Sequence, residues 1–306
     1  MTGVQTCALP IFKPFIGLAG LELDAIKPNE TINCPGYYML KNDDRHYRDW
    51  KKQGHGITNL RKAIVESCDV YFYNLALTLQ IDRLHEYLTS FGLGRLTGID
   101  IRGELPGLMP SRAWKRRVYH QPWFPGETLI TGIGQGFTLA TPLQLASITA
   151  TLSDLGQRYQ PQVVHAIQEP GTESLSIQTA IPSGNVPIAK IEHWHNIIDI
   201  MQDVVHSVHG TARGISHHLS YRIAGKTGTA QVFGVKQDEE YVAEDIAKKL
   251  RDHALFIGFA PADKPRIAVA AIVENGGGGG SVAAPIVRKV MDYYLLKSDV
   301  PPDANK

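Results

Sequence analysis

Residues 220–233 read SYRIAGKTGTAQVF, an alternating run that contains a compact polar group. Tyr221 and Ile223 alternate with Arg222 and Ala224, the period of a half-buried strand. Gly225, Lys226, Thr227 and Gly228 then set an ammonium and a hydroxyl between two glycines. Without Cβ atoms at Gly225 and Gly228, another backbone or a carboxylate can approach closely, so the stretch reads as a strand that binds a ligand along its edge. The competing reading is a strand with a bulge. A given tripeptide arises by chance in a chain of this length in about a few per cent of cases, so Lys-Thr-Gly needs partners elsewhere.

Of the 306 residues 43% are hydrophobic and 20% charged, which suits one large core or two smaller ones. A net charge of +1 argues against a nucleic-acid or acidic-membrane partner. No stretch reaches the roughly 18 apolar residues of a spanning helix. The apolar run Ala8 to Leu23 contains Lys13 and lacks a basic leader, so it is not read as a signal peptide. Residues 1–11, MTGVQTCALPI, are read differently. The codons GTT CAG ACG TGT GCT CTT CCG ATC, a common sequencing adapter, encode Val4 to Ile11, so these residues are expected to be an adapter artefact joined to a truncated gene. The protein itself would begin near Phe12, and Cys34 and Cys68 would be its cysteines.

Further along, Lys13 opens a helical pattern with Pro14 in its first turn and apolar Phe15, Ile16, Leu18 and Leu21. Residues 29–56 are turn-rich and read as irregular or short strands. Thr58 to Glu66 reads as a helix, Ser67-Cys68-Asp69 interrupts it, and Asp69 is expected to N-cap the helix Val70 to Leu79. Ile81 to Phe91 is another helix, closed by Gly92. Residues 92–136 read as loop-rich, with Pro106, Pro110, Pro122 and Pro125 and the run GIGQG at 132–136. Thr141-Pro142 gives an N-cap and N1 proline for a helix through Leu155, and a further helix spans about Glu192 to His209. Then come a polar helical insertion at Glu239 to Arg251, strands at Ala254 to Phe259 and Ile267 to Val273, a flexible glycine loop at 276–280 and an amphipathic helix from Ala283 to Leu296. Helices first, then strands and a closing helix, predict an α+β fold with an antiparallel sheet. Residues 299–306 read as a disordered tail.

Lys13, Ser67-Cys68-Asp69 and Lys226-Thr227-Gly228 follow the order of the motifs S-x-x-K, S-x-N and K-T-G. Around them, HYRDWKKQGHG at 46–56, MPSRAWK at 109–115, PWFPGETLITGIGQGFTLATPLQLA at 122–146 and GKTGTAQVFG at 225–234 resemble the penicillin-binding protein 2 family, class B peptidoglycan transpeptidases of rod elongation. The resemblance runs from about Lys13 to about Leu296. It implies the penicillin-binding-protein and serine β-lactamase type of fold, an antiparallel sheet packed between helices, here without its N-terminal strands, pedestal domain and membrane anchor. Two positions depart from the pattern: Asp69 stands where Asn is usual, and Pro10 occupies the place of the nucleophilic serine.

Acyl transfer through a serine ester is the mechanism implied. A hydroxyl is a weak nucleophile and needs a base beside it. Lys13, one helical turn on, would take the proton, helped by desolvation and by the charge of Lys226. Ser67 would relay a proton to the leaving amine. Thr227 and Thr229 would hold the terminal carboxylate of a D-alanyl-D-alanine stem peptide or of a β-lactam, and the Thr229 N–H would supply half of an oxyanion hole. The peptide would add to the strand edge. Proline has neither hydroxyl nor N–H, so this chain is expected to be inactive. No catalytic cofactor is implied. The parent would act at the periplasmic face of the bacterial inner membrane with a membrane-embedded glycan polymerase and other elongation proteins. A D-alanyl-D-alanine carboxypeptidase or serine β-lactamase is the alternative among enzymes, and a non-catalytic penicillin sensor or scaffold, with Pro10 genuine, is the alternative outside them. Taken singly, Ser67 would be a helix cap and Lys13 a snorkelling surface lysine; their order and flanks reverse both readings.

Cys34, Asp49, His55 and Cys68 form a second constellation of metal-competent residues. Two thiolates, an imidazole and a carboxylate suit tetrahedral zinc, and some members of the resembling subfamily carry a metal here. Zinc would then brace the Ser67 loop. A Cys34–Cys68 disulfide and two unrelated buried thiols are the alternatives.

Overall fold

The computed structural model describes residues 6–7, 10–230 and 247–297. Its sheet has three antiparallel strands in the order Ala224–Ala230, His253–Ala260 and Ile267–Val273. Lys226 lies opposite Ile257, which in turn lies opposite Ala270. The Lys226 strand begins at Ala224, later than the alternation predicts, residues 231–233 of the expected stretch lie outside the described residues, and the strand is buried along its length except at Thr229. Helix Ile191–His206, the 3₁₀ turn Pro10–Phe12 and the turn Gly279–Ala283 all pack against it, which explains why a half-exposed pattern is not observed. Helices Pro142–Ser153 and Ala284–Lys297 pack on the other two strands, so the antiparallel sheet sits among helices as the α+β reading requires.

A second layer is built on helix Lys13–Glu22, every residue of which is buried. Helices Leu60–Val65, Asp69–Leu79, Ile81–Ser90 and Ile191–His206 surround it, so its apolar side chains are not confined to one stripe. Turn-rich residues 29–59 form two short antiparallel pairs, Thr31–Cys34 with Gly56–Asn59 and Tyr37–Met39 with His46–Arg48. Here the sequence reading is corrected: Thr58 belongs to a strand, and the helix begins only at Leu60, where the Asn59 side chain accepts from the Lys62 N–H as its cap. Loop-rich residues 92–136 also hold two short helices, Arg112–Tyr119 and Pro125–Gly132. Thr141 and Pro142 do start a helix, with Thr141 and Gln144 forming a reciprocal capping box.

The glycine run differs most from expectation. It does not hang free: Gly279 begins a π turn that leads into helix Ala284–Lys297, and a Cβ there would strike the carbonyls of Gly228 and Leu255. Most of the expected polar helical insertion lies outside the described residues, whose nearest part is the 3₁₀ turn Lys248–Leu250. The tail 299–306 also lies outside them. Of residues 1–11, Thr6–Cys7 pairs with Leu139–Ala140, and Ile11 is fully buried in the 3₁₀ turn. No helix among the described residues is long and apolar enough to cross a membrane.

Candidate active site

Lys13 is the first residue of the buried helix, and its Nζ donates to the Ser67 carbonyl at 2.7 Å, the Ser67 hydroxyl at 3.0 Å and Asp69 Oδ1 at 2.7 Å. From strand Ala224–Ala230, Lys226 Nζ donates to the same Ser67 hydroxyl at 3.1 Å and to the Thr227 carbonyl at 3.0 Å. Ser67 Oγ is therefore hydrogen-bonded by two lysine side chains that are both fully buried. A surface lysine would keep its charge in water, so the snorkelling reading of Lys13 fails.

Ser67 gains this position from an unusual backbone. Its φ of 61° is left-handed, the chain reversing between helices Leu60–Val65 and Asp69–Leu79. For a residue with a Cβ that conformation costs about 1–2 kcal/mol, so neighbouring contacts must hold it. Ser67 does not cap the second helix, and neither does Asp69, which is its first helical residue. The cap comes from Asp49, whose Oδ2 accepts from the N–H groups of Asp69 at 2.8 Å and Val70 at 3.2 Å. Asp69 is thereby free to face Lys13.

Charge in this centre is unevenly placed. Burial, reinforced by the Lys13 charge, holds Lys226 well below the usual lysine range, and Asp69 only partly opposes this. Burial raises Asp69 above the ordinary carboxylate range against the pull of Lys13. Beside the expected neighbour Lys226, Lys13 has an acidic partner in Asp69 Oδ1 at 2.7 Å. Thr227 Oγ1 is 2.8 Å from the Thr211 hydroxyl, while Thr229 is exposed, its Oγ1 accepting from the Gly279 N–H at 3.4 Å. Pro10 is half-buried one turn before Lys13, in the 3₁₀ turn that packs on the Lys226 strand.

Cys34, Asp49, His55 and Cys68 come together as well: all four are buried, and one donor atom from each lies within 4.8 Å of the others. Cys34 Sγ is 3.6 Å from both Asp49 Oδ2 and His55 Nδ1, and His55 Nδ1 is 3.4 Å from Asp49 Oδ1. Both cysteines are free, so the disulfide alternative is not observed. The close passage of two turns makes the cluster: side chains at Gly36 or Gly54 would run into the backbone of Lys52 or Cys34. Burial works against ionisation of Asp49, but hydrogen bonds from His55 and the Lys51 amide bring it down to about 2. Burial and the Asp49 charge push the Cys68 thiol up.

Trp50 and Thr211 were missed from sequence. Trp50 lies inside the HYRDWKKQGHG stretch that carries the resemblance, and Thr211 follows His209-Gly210 with no motif to mark it. Only the fold brings either of them to Ser67 or Thr227.

A serine hydrogen-bonded by two buried lysines thus lies beside the edge strand of an antiparallel sheet in an α+β domain. The pattern of the penicillin binding protein transpeptidase domain matches residues 11–292, and the chain belongs to that family. Among curated relatives, the peptidoglycan D,D-transpeptidase MrdA of Haemophilus influenzae is 45% identical over 92% of this chain and 43% of its own length. The MrdA of Acinetobacter baumannii is 44% identical over 93% of this chain and 41% of its own. This chain thus spans less than half the length of these relatives. A crystal structure of Pseudomonas aeruginosa PBP2 in complex with WCK 5153 superposes with a TM-score of 0.84 at 43% identity, covering 98% of this chain and 63% of that one. The Helicobacter pylori PBP2 in complex with MreC gives 0.80 at 32% identity, covering 96% of this chain and 50% of that one.

Proposed function

We propose that this chain is the C-terminal part of a peptidoglycan D,D-transpeptidase domain, and that its centre serves acyl transfer through a serine ester. The carrying observation is the Ser67 hydroxyl held at 3.0 Å from Lys13 Nζ and 3.1 Å from Lys226 Nζ, next to a strand edge that bears Thr227 and Thr229. In this reading a hydroxyl at position 10 attacks the carbonyl of the penultimate D-alanine as Lys13 takes its proton. The Thr229 N–H stabilises the oxyanion. Collapse breaks the peptide bond, and the terminal D-alanine leaves with a proton relayed by Ser67. An acceptor amine on a second stem peptide then displaces the ester and restores the hydroxyl. Lys226, Thr227 and Thr229 hold the substrate carboxylate, and Gly228 lets the peptide lie close to the strand. A β-lactam would open by the same attack and remain as the ester.

Pro10 supplies neither hydroxyl nor N–H, so the chain as written does not acylate. If residues 1–11 are adapter-derived, as their codons suggest, the gene itself would carry serine at this position. The non-catalytic sensor reading is favoured by the same proline, and labelling separates the two. Pro10→Ser exposed to a fluorescent penicillin should become covalently labelled while the unaltered chain does not; an unlabelled Pro10→Ser protein contradicts the transpeptidase reading. On this reading the parent protein would work at the periplasmic face of the inner membrane, and the Helicobacter pylori complex of PBP2 with MreC supports elongation proteins as its partners.

The buried Cys34, Asp49, His55 and Cys68 group fits zinc in its donor chemistry and its closeness. Zinc bound there would act structurally, drawing the turn at Cys34 and His55 against Cys68. Asp49 already ties this cluster to the Ser67 loop by capping helix Asp69–Leu79. Elemental analysis should find about one zinc per chain. Protein that is folded and free of stoichiometric zinc contradicts the assignment.

A further inference from the structure

Trp50 is 61% exposed, yet it makes three hydrogen bonds at the Ser67 loop. Its indole Nε1 lies 3.1 Å from both the Glu66 and Ser67 carbonyls, and its backbone N–H donates to Asp69 Oδ2 at 3.2 Å. The indole meets the His55 ring edge-on, with centroids 5.7 Å apart, which fixes its direction. Ser67 O and Asp69 are two of the three acceptors of Lys13 Nζ, the third being the Ser67 hydroxyl. Trp50 thus holds two of the groups that aim Lys13, while most of its own surface stays in water.

We propose that Trp50 is a positioning residue for the proposed acyl transfer. Its indole N–H clamps the left-handed turn at Ser67 so that the serine hydroxyl stays between Lys13 and Lys226. Exposure is the telling feature. A tryptophan placed for burial would be covered, whereas this one leaves most of its surface in water and turns its single donor onto two converging carbonyls. Without that donor the carbonyls repel each other and Ser67 relaxes from its left-handed φ. The hydroxyl then loses its hydrogen bonds to the two lysines. The inference rests on the acyl-transfer reading for its kinetic consequence only.

Trp50→Phe keeps the ring and the backbone N–H and removes the indole donor. In the otherwise unaltered chain, amide exchange at Cys68, Asp69 and Val70, whose N–H groups bond to Ala63 and Asp49, should speed up about ten-fold. The melting temperature should stay within about 2 °C, because little buried area is lost. In the Pro10→Ser background, the rate constant for penicillin acylation should fall about ten-fold while the pre-acylation affinity stays within about two-fold. Unchanged exchange overturns the proposal. So does an affinity that falls in step with the rate, since Trp50 would then be a wall of the binding site. A Pro10→Ser protein that never labels refutes the acyl-transfer reading alone, and the exchange measurement still decides the clamp.

Discussion

Lys226 is the residue whose charge state the fold alters most legibly. It is fully buried beside Lys13, and both facts favour its neutral form. An unfolded lysine titrates near 10.4, so between the lowered folded value and about 10.4 the unfolded chain binds the extra proton. Stability from this site therefore rises with pH across that window, by up to about 1.4 kcal/mol per pH unit. Lys226→Met should remove the slope: urea unfolding at pH 7, 8.5 and 10 should show the wild-type chain gaining on the variant as pH rises. Parallel curves would contradict the assignment. Thr211 gives a second prediction at this scale. Thr211→Val leaves the nearly buried Thr227 hydroxyl without its 2.8 Å partner and should lower stability by about 1 kcal/mol in the same measurement.

Among elements, the helices on either side of Ser67 set the site, and their caps can be tested separately. Asn59→Ala removes the side-chain acceptor at the start of helix Leu60–Val65 and should cost about 1 kcal/mol in chemical unfolding. Gly279→Ala should cost about 1–3 kcal/mol, because the new methyl would press on the carbonyls of two sheet strands. Local chemistry made several elements readable in advance. Thr141-Pro142 states a helix start in two residues, and Ile267–Val273 emerged with the bounds read from its apolar run. The failures share a cause. Asp69 looked like a cap because aspartate is a good one, but Asp49, distant in sequence, took that place and left Asp69 to Lys13. The Lys226 strand looked half-exposed because alternation reports one covered face, and here helix and turns cover it from several sides.

Across the whole molecule, the edge strand through Lys226, the buried helix through Lys13 and the turn through Trp50 meet at Ser67. Motif order in the sequence was enough to bring Lys13, Ser67 and Lys226 together, since each sits at the start of a helix, in a tight reversal or between close-packing glycines. The cluster of Cys34, Asp49, His55 and Cys68 was legible as a donor set, and its convergence depended on two turns passing at backbone contact. Trp50 and Thr211 were not legible, because an indole donor and a threonine hydroxyl gain meaning only from the partners that folding supplies. The central claim is that Lys13, Ser67 and Lys226 form a centre awaiting a hydroxyl at position 10. Intact-mass measurement after incubation with benzylpenicillin tests it most directly. Pro10→Ser should gain one covalent adduct, and the unaltered chain and Pro10→Ser combined with Lys13→Met should gain none. An adduct on the unaltered chain, or one that survives loss of Lys13 undiminished, would contradict the account.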